Sequence, residues 1–229
     1  MDLPYFADPV LTVQLCERVI GDMLPECADI IYLYGHAPAN EKDVLDEGAR
    51  VIGMYPNASP CLCGLTKAEL KPTDPFSGVE AWTETLVKKA WILNDLIRWI
   101  RQDLNPVPVP CTDTESFNLL RYAKRGNNIK TIVIVTPVFH ALRATISIVS
   151  AAAYLKADDL HIFVRAVRQD MDEVVQNTQS TAPAARIAEA LSEMQKIQAC
   201  ALDGGREDRF KYLLPADAIL AYFEKRGSL

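Results

Sequence analysis

The stretch "TIVIVTPVFHALRA", Thr131–Ala144, decides the fold. A run of β-branched residues stops at Thr136-Pro137, and His140 and Arg143 follow three positions apart. Branching at Cβ restricts χ1 and favours the extended chain. An apolar run without alternation reads as a strand buried on both faces, the signature of a parallel sheet. Thr136 is a natural N-cap and Pro137 a natural first helical residue. The pattern then turns helical over Val138–Leu155. Strand, turn and helix in that order are one half of a parallel β-α-β unit.

The same grammar recurs on both sides of this stretch. "ADIIYLYG" (Ala28–Gly35) and "ASPCLCG" (Ala58–Gly64) are short apolar runs closed by glycine, read as strands. Val10–Asp22 is amphipathic and reads as a helix, as does Asn40–Tyr55, with Asn40 as its cap. Leu65–Gly78 carries two prolines and reads as a loop. A long helix is predicted over Val79–Gln102, its packed face anchored by Trp82, Trp91 and Trp99. Alternating prolines make Asn105–Cys111 extended. Thr112–Gly126 reads as a capped helix stopped by glycine. Lys130–Thr136 and Asp159–Val167 are strands, with His161 a structural residue of the second. Two helices, Ala182–Ala201 and Leu214–Gly227, follow on either side of a turn at Asp203–Asp208. The expectation is an α/β, Rossmann-like, doubly wound, mainly parallel sheet of about five strands with helices on both faces and a helical C-terminal tail. One domain over residues 1–229 is expected, with a core at about 28–167 and a helical extension at about 180–229.

Composition narrows the function classes. The 229 residues are 49% hydrophobic, enough for a sizeable core. The net charge of −6 argues against nucleic acid or an anionic membrane as the main partner, since both reward clustered Lys and Arg. The start, "MDLPYFADPV", has neither a basic n-region nor an apolar h-region, and no apolar run is long enough to span a bilayer. A cytoplasmic protein without a membrane anchor is the expectation. The 6 cysteines therefore imply no disulfides, and Cys61 and Cys63 read as neighbouring strand residues rather than zinc ligands. No metal site is expected. The oligomeric state is left open.

In open parallel sheets, ligands bind beyond the carboxyl ends of the strands. Those ends supply the candidate ligand-binding residues Gly35, His36, Gly64, Lys67, Thr112, Thr114, Thr136 and Arg143. Strand-to-helix turns need glycine and caps in any such fold, which accounts for Gly35, Gly64 and Thr112 but less well for His36 and Lys67. His140 and Arg143 share a helix face and lean back toward the helix N-terminus, whose free N–H groups suit an anion. Cations there gain nothing from the helix dipole, which favours a functional reason for them. The other reading of the same spacing is a satisfied histidine and a salt-bridged arginine. His140, Asp113 and Glu115 are the catalytic candidates, His140 as acid/base and either carboxyl as a base. Asp113, Glu115 and Glu80 are equally the acidic residues that helix starts prefer. No P-loop, nucleotide-binding glycine fingerprint, nucleophile elbow or zinc-protease motif is present.

The succession "ADIIYLYG", "ASPCLCG", "SGVEAW", "PCTDTESFNLL" and "IKTIVIVTPVFHALRA" resembles the bacterial YdcF/SanA/ElyC-like family, a domain of unknown function. The likeness runs from about Ala28 to Leu155, and its most specific piece is Thr136 with His140, Arg143 and Ala144. Cys63-Gly64-Leu65 stands where that family has Ser-Gly-Gly, and its Glu-Asn pair is not reproduced in Thr112-Asp113-Thr114-Glu115-Ser116. The resemblance implies a Rossmann-like fold with a polar site at the strand ends, S-adenosylmethionine as a cofactor or ligand, and membership of a soluble branch. Three functions follow as expectations. The first is an enzyme of group transfer or hydrolysis acting on an anionic or nucleotide-like small molecule. The second is a non-catalytic nucleotide or S-adenosylmethionine sensor. The third is a cell-envelope-linked interaction protein with a vestigial pocket.

Overall fold

The computed structural model describes residues 8–35, 38–70, 76–100, 112–125, 128–176, 183–202 and 213–227. The predicted extended stretch Asn105–Cys111 and the turn Asp203–Asp208 lie outside these residues.

Five strands form one all-parallel sheet: β1 (Ile30–Leu33), β2 (Ser59–Cys63), β3 (Arg98–Ile100), β4 (Thr131–Pro137) and β5 (His161–Val167). Their order across the sheet is β3-β2-β1-β4-β5. Winding runs outward in one direction from β1 and in the other from β4, so the sheet is doubly wound and its switch point lies between β1 and β4. Every residue of β1 and of β4 is buried. That is why both runs are apolar throughout, and each fully buried Ile, Val or Leu contributes about 1.5–3 kcal/mol.

Alternation along the strands divides the core in two. Ile30, Tyr32, Tyr34, Ile132 and Ile134 pack on one face, with residues of α1 (Pro9–Ile20), α4 (Thr112–Arg125), α5 (Val138–Tyr154) and α7 (Ala216–Gly227). Ile31, Leu33, Val133 and Val135 pack on the other, with residues of α2 (Pro38–Met54) and α3 (Val79–Ala90). Cys61 and Cys63 point to the first face and Leu62 to the second, as strand residues should. Asp8 caps α1 by accepting from the N–H groups of Val10 and Leu11. On the outer side of β5, the Asp22 carboxylate accepts from the Val164 N–H (2.8 Å) and pairs with Arg226 of α7. The Arg226 guanidinium also lies over the Phe163 and Phe223 rings.

Several elements differ from the sequence reading. The predicted long helix ends at Ala90, because Trp91 takes a left-handed conformation (φ 54°, ψ 37°). A single 3-10 turn, Asn94–Leu96, then leads into β3, the edge strand beside β2. Only Trp82 anchors the helix; Trp91 is exposed, and Trp99 sits on β3 and donates from Nε1 to Thr83 Oγ1 (2.7 Å). Asn40 is not a cap. The helix already starts at Pro38, and Asn40 is a buried first-turn residue that accepts from Arg186 Nε (3.2 Å). Thr136 is not the cap of α5 either: β4 continues through Pro137, which is the N-cap residue and makes no side-chain cap bond. The residue before a proline avoids the helical region, which keeps Thr136 in the strand. The tail is not wholly helical: an antiparallel pair, β6 (Val174–Gln176) and β7 (Pro183–Ala185), precedes α6 (Arg186–Leu202). Among the described residues no helix is long and apolar enough to cross a membrane.

Candidate functional site

Helices that link parallel strands run antiparallel to them, so α4 and α5 begin at the carboxyl ends of the strands. The first turns of both therefore meet near the switch point. Thr112 and Glu115 come from α4, His140 and Arg143 from α5, and Gly35 from the end of β1.

His140 is the hub. Its Nε2 lies 3.2 Å from Thr112 Oγ1, and its Nδ1 lies 2.5 Å from Glu193 Oε2 on α6. The Tyr34 ring meets the imidazole edge-on at 5.9 Å between centroids. Tyr34 Oη is in turn hydrogen-bonded to Ser116 Oγ (2.6 Å). Ser116 Oγ also contacts the Thr112 carbonyl (2.7 Å), so Tyr34 and Ser116 brace the first turn of α4 beside the histidine.

Glu193 is shared by three partners. Besides His140 it accepts from Arg143 Nη1 (3.4 Å) and from Lys196 Nζ. Burial would push its carboxyl up, but His140, Arg143 and Lys196 together hold it well below the usual carboxylate range. An ionised Glu193 keeps a proton on His140 Nδ1. Nε2 is then the nitrogen that faces the Thr112 hydroxyl. Arg143, expected to clamp a ligand anion, has Glu193 as one of its partners. One turn back on α6, Glu189 is buried; burial raises its carboxyl, with Lys196 opposing and Glu193 adding to the rise.

Glu115 behaves oppositely. Burial pushes its carboxyl up to about 8, against the pull of Arg143 and of a hydrogen bond from the Gly35 backbone. At neutral pH it is mostly protonated, and a carboxyl raised toward neutrality in this way can give or take a proton. Asp113 points elsewhere and accepts from Ser147 Oγ on α5.

The remaining candidates separate. The glycine at the end of β2 makes room for Phe76: a Cβ on Gly64 would lie 2.9 Å from its ring, whereas one on Gly35 would meet the ring at an ordinary 3.5 Å. Phe76 thus covers the β2 side of the strand ends and stacks edge-on against Trp82. Lys67 is exposed in the turn after β2, its backbone N–H bonded to Glu80 Oε2 (2.9 Å). Thr114 is half-buried on α4. Thr136 is fully buried at the end of β4, and its hydroxyl has no hydrogen-bond partner among the described residues. His36 lies outside the described residues.

Glu193 and Lys196 escaped the sequence reading. The signal was present in the tail helix: Arg186, Glu189, Glu193 and Ile197 follow helical spacing, and all four are buried. Charges along the stripe that ought to be apolar mark a helix laid over a polar site. Compared with protein-family models, with curated proteins and with solved structures, the chain matches none.

Proposed function

We propose that this protein binds an anionic or nucleotide-like small molecule at the strand ends between β1 and β4. We propose further that it performs group transfer or hydrolysis there, with His140 as the acid/base. The observation that carries this reading is the Glu193–His140–Thr112 alignment at the switch point of a doubly wound sheet. A carboxylate that fixes the tautomer of a buried histidine is the arrangement by which enzymes prepare a general base. The helix starts of α4 and α5 carry positive dipole ends that favour an anion, and Arg143 and Lys196 add positive charge beside them. Glu115 would act as a neutral donor, and Tyr34 and Ser116 would hold the site's walls.

Kinship with the YdcF/SanA/ElyC-like family belongs to the same proposal and rests on Thr136, His140, Arg143 and Ala144. The cytoplasm is the expected setting. A second reading, a non-catalytic sensor of a nucleotide or S-adenosylmethionine, is favoured by Glu193 itself, which already occupies His140 and Arg143 as an incoming anion would.

A thermal-shift panel of nucleotides, S-adenosylmethionine, sugar nucleotides and phosphate esters tests the binding. A ligand at about 100 times its Kd adds about 2.7 kcal/mol, or roughly 5–10 °C at this size. His140→Ala and Arg143→Ala should lose the shift. Variants that keep the wild-type shift for every hit would remove the site from this place, and turnover of a hit separates the enzyme from the sensor.

A further inference from the structure

We propose that Thr112 is a covalent nucleophile, activated by His140 and Glu193, and that the substrate is an ester or thioester. This rests on the reading of the β1–β4 strand ends as the ligand site and adds the bond that is broken there. Carboxylate, imidazole and hydroxyl stand in sequence, with Nδ1 on the carboxylate and Nε2 on the hydroxyl. That order of contacts defines a nucleophilic triad whatever the fold and whatever the chain order. The 3.2 Å separation between Nε2 and Oγ1 is within the range of such sites before substrate arrives. Thr112 and His140 are both buried, which strengthens the contact between them.

Position supplies the rest. Thr112 is the first residue of α4, at the positive end of the helix. A carbonyl attacked by Oγ1 would develop its negative charge against that helix end. A hydroxyl whose proton is taken and returned by one histidine is the machinery of acyl transfer, which is why the reacting centre is assigned to a carbonyl.

The step balances with no outside reagent. His140 Nε2 takes the Thr112 proton as Oγ1 bonds to the carbonyl carbon. The carbon–oxygen (or carbon–sulfur) bond to the leaving group breaks, and the leaving group departs with the proton from Nε2. Water then attacks the acyl-threonine, gives a proton through His140 to Oγ1, and releases the acid. Glu193 is a positioning residue: it fixes the ring and stabilises the transient imidazolium.

The test is the release of nitrophenolate from p-nitrophenyl acetate by the full chain, with mass spectrometry of the peptide that carries Thr112. The wild type should turn over with an acetyl group trapped on Thr112 at early times. Thr112→Val, which keeps the shape of the side chain, should lose at least a hundredfold, as should His140→Ala, while Thr112→Ser remains active. Glu193→Gln should slow release and abolish the downfield proton resonance of His140 Nδ1 that Thr112→Val retains. Thermal melts identify any variant that fails to fold, and Thr112→Ser then carries the comparison. No turnover by the wild type, or turnover that Thr112→Val leaves unchanged, overturns the proposal. A panel ligand that binds Thr112→Val as it binds the wild type would leave the strand-end site standing while the nucleophile falls.

Discussion

Replacing Glu115 by glutamine should make the protein more stable, and the gain should depend on pH. Glu115 is buried on α4, and its carboxyl is raised from 4.5 to about 8 in the folded chain. Below about pH 4.5 the group is protonated both folded and unfolded and costs nothing. As the pH rises, the unfolded chain ionises while the folded chain holds its proton, so the folded state loses about 1.4 kcal/mol per pH unit. The loss levels off once the folded group ionises too, near pH 8. At pH 7 it amounts to about 3 kcal/mol, an upper bound because ionisation also draws in water. Glutamine keeps an acceptor for the Gly35 N–H and never ionises. Thermal melts of both proteins at about pH 5, 7 and 9 should show a Tm difference that is small at the first, roughly 6–12 °C at the second and larger again at the third. A difference that is constant across pH, or a variant less stable than the wild type above pH 8, would refute the assignment of Glu115 as a neutral acid. A residue that lowers stability at neutral pH is the kind that sites retain for use.

Three further changes probe the frame around the site. Arg226→Met leaves the buried Asp22 carboxylate, among the described residues, with only the Val164 N–H, and urea unfolding should show a loss of about 3–5 kcal/mol. Adding Asp22→Asn should return at least about 1 kcal/mol of it, and strict additivity of the two changes would deny the coupling. Gly48→Ala should destabilise by about 1–3 kcal/mol despite a better helix former, since its Cβ would fall 2.4 Å from Leu33 Cδ2 in the core; an unchanged urea midpoint would show that Leu33 can move aside. Trp91→Gly should stabilise by about 1 kcal/mol in the same assay, because it relieves a left-handed residue that is 92% exposed and packs little.

The middle of the sheet was legible because β1, β2 and β4 are buried on both faces and so carry no competing polar pattern. Thr131–Val135, Ile30–Leu33 and Cys61–Cys63 each announce themselves within a few residues. β3 was not legible, because in "LIRWIRQ" the apolar residues fall at spacings a helix also uses. What separates the two outcomes is pairing with β2 and the left-handed turn at Trp91, neither of which is local to the motif. The cap of α5 failed for a smaller reason, since β4 runs on for two residues to pair with β5. In the site, His140, Arg143, Thr112 and Glu115 could be named from strand-to-helix junctions alone. Glu193 could not, because it is 53 positions from His140 and lies along a tail helix rather than at a strand-to-helix junction. Its effect is to change what the neighbours mean. Arg143 is engaged by a carboxylate of its own chain, and His140 is oriented rather than free to follow a ligand.

The tie between Asp22 and Arg226 spans 204 positions of the chain. A ribosome adding about 5–20 residues per second needs roughly 10–40 s to cover that distance. For all of that time Asp22 lacks the guanidinium it pairs with, and once β5 is made the Val164 amide and the outer side of that strand wait for it as well. The strands at the middle of the sheet can pair long before this, since β1, β2 and β4 are complete by Pro137. Folding during synthesis therefore has a late closing step at β5, and a chain stalled before Arg226 would present a buried-type carboxylate to the chaperones that meet it.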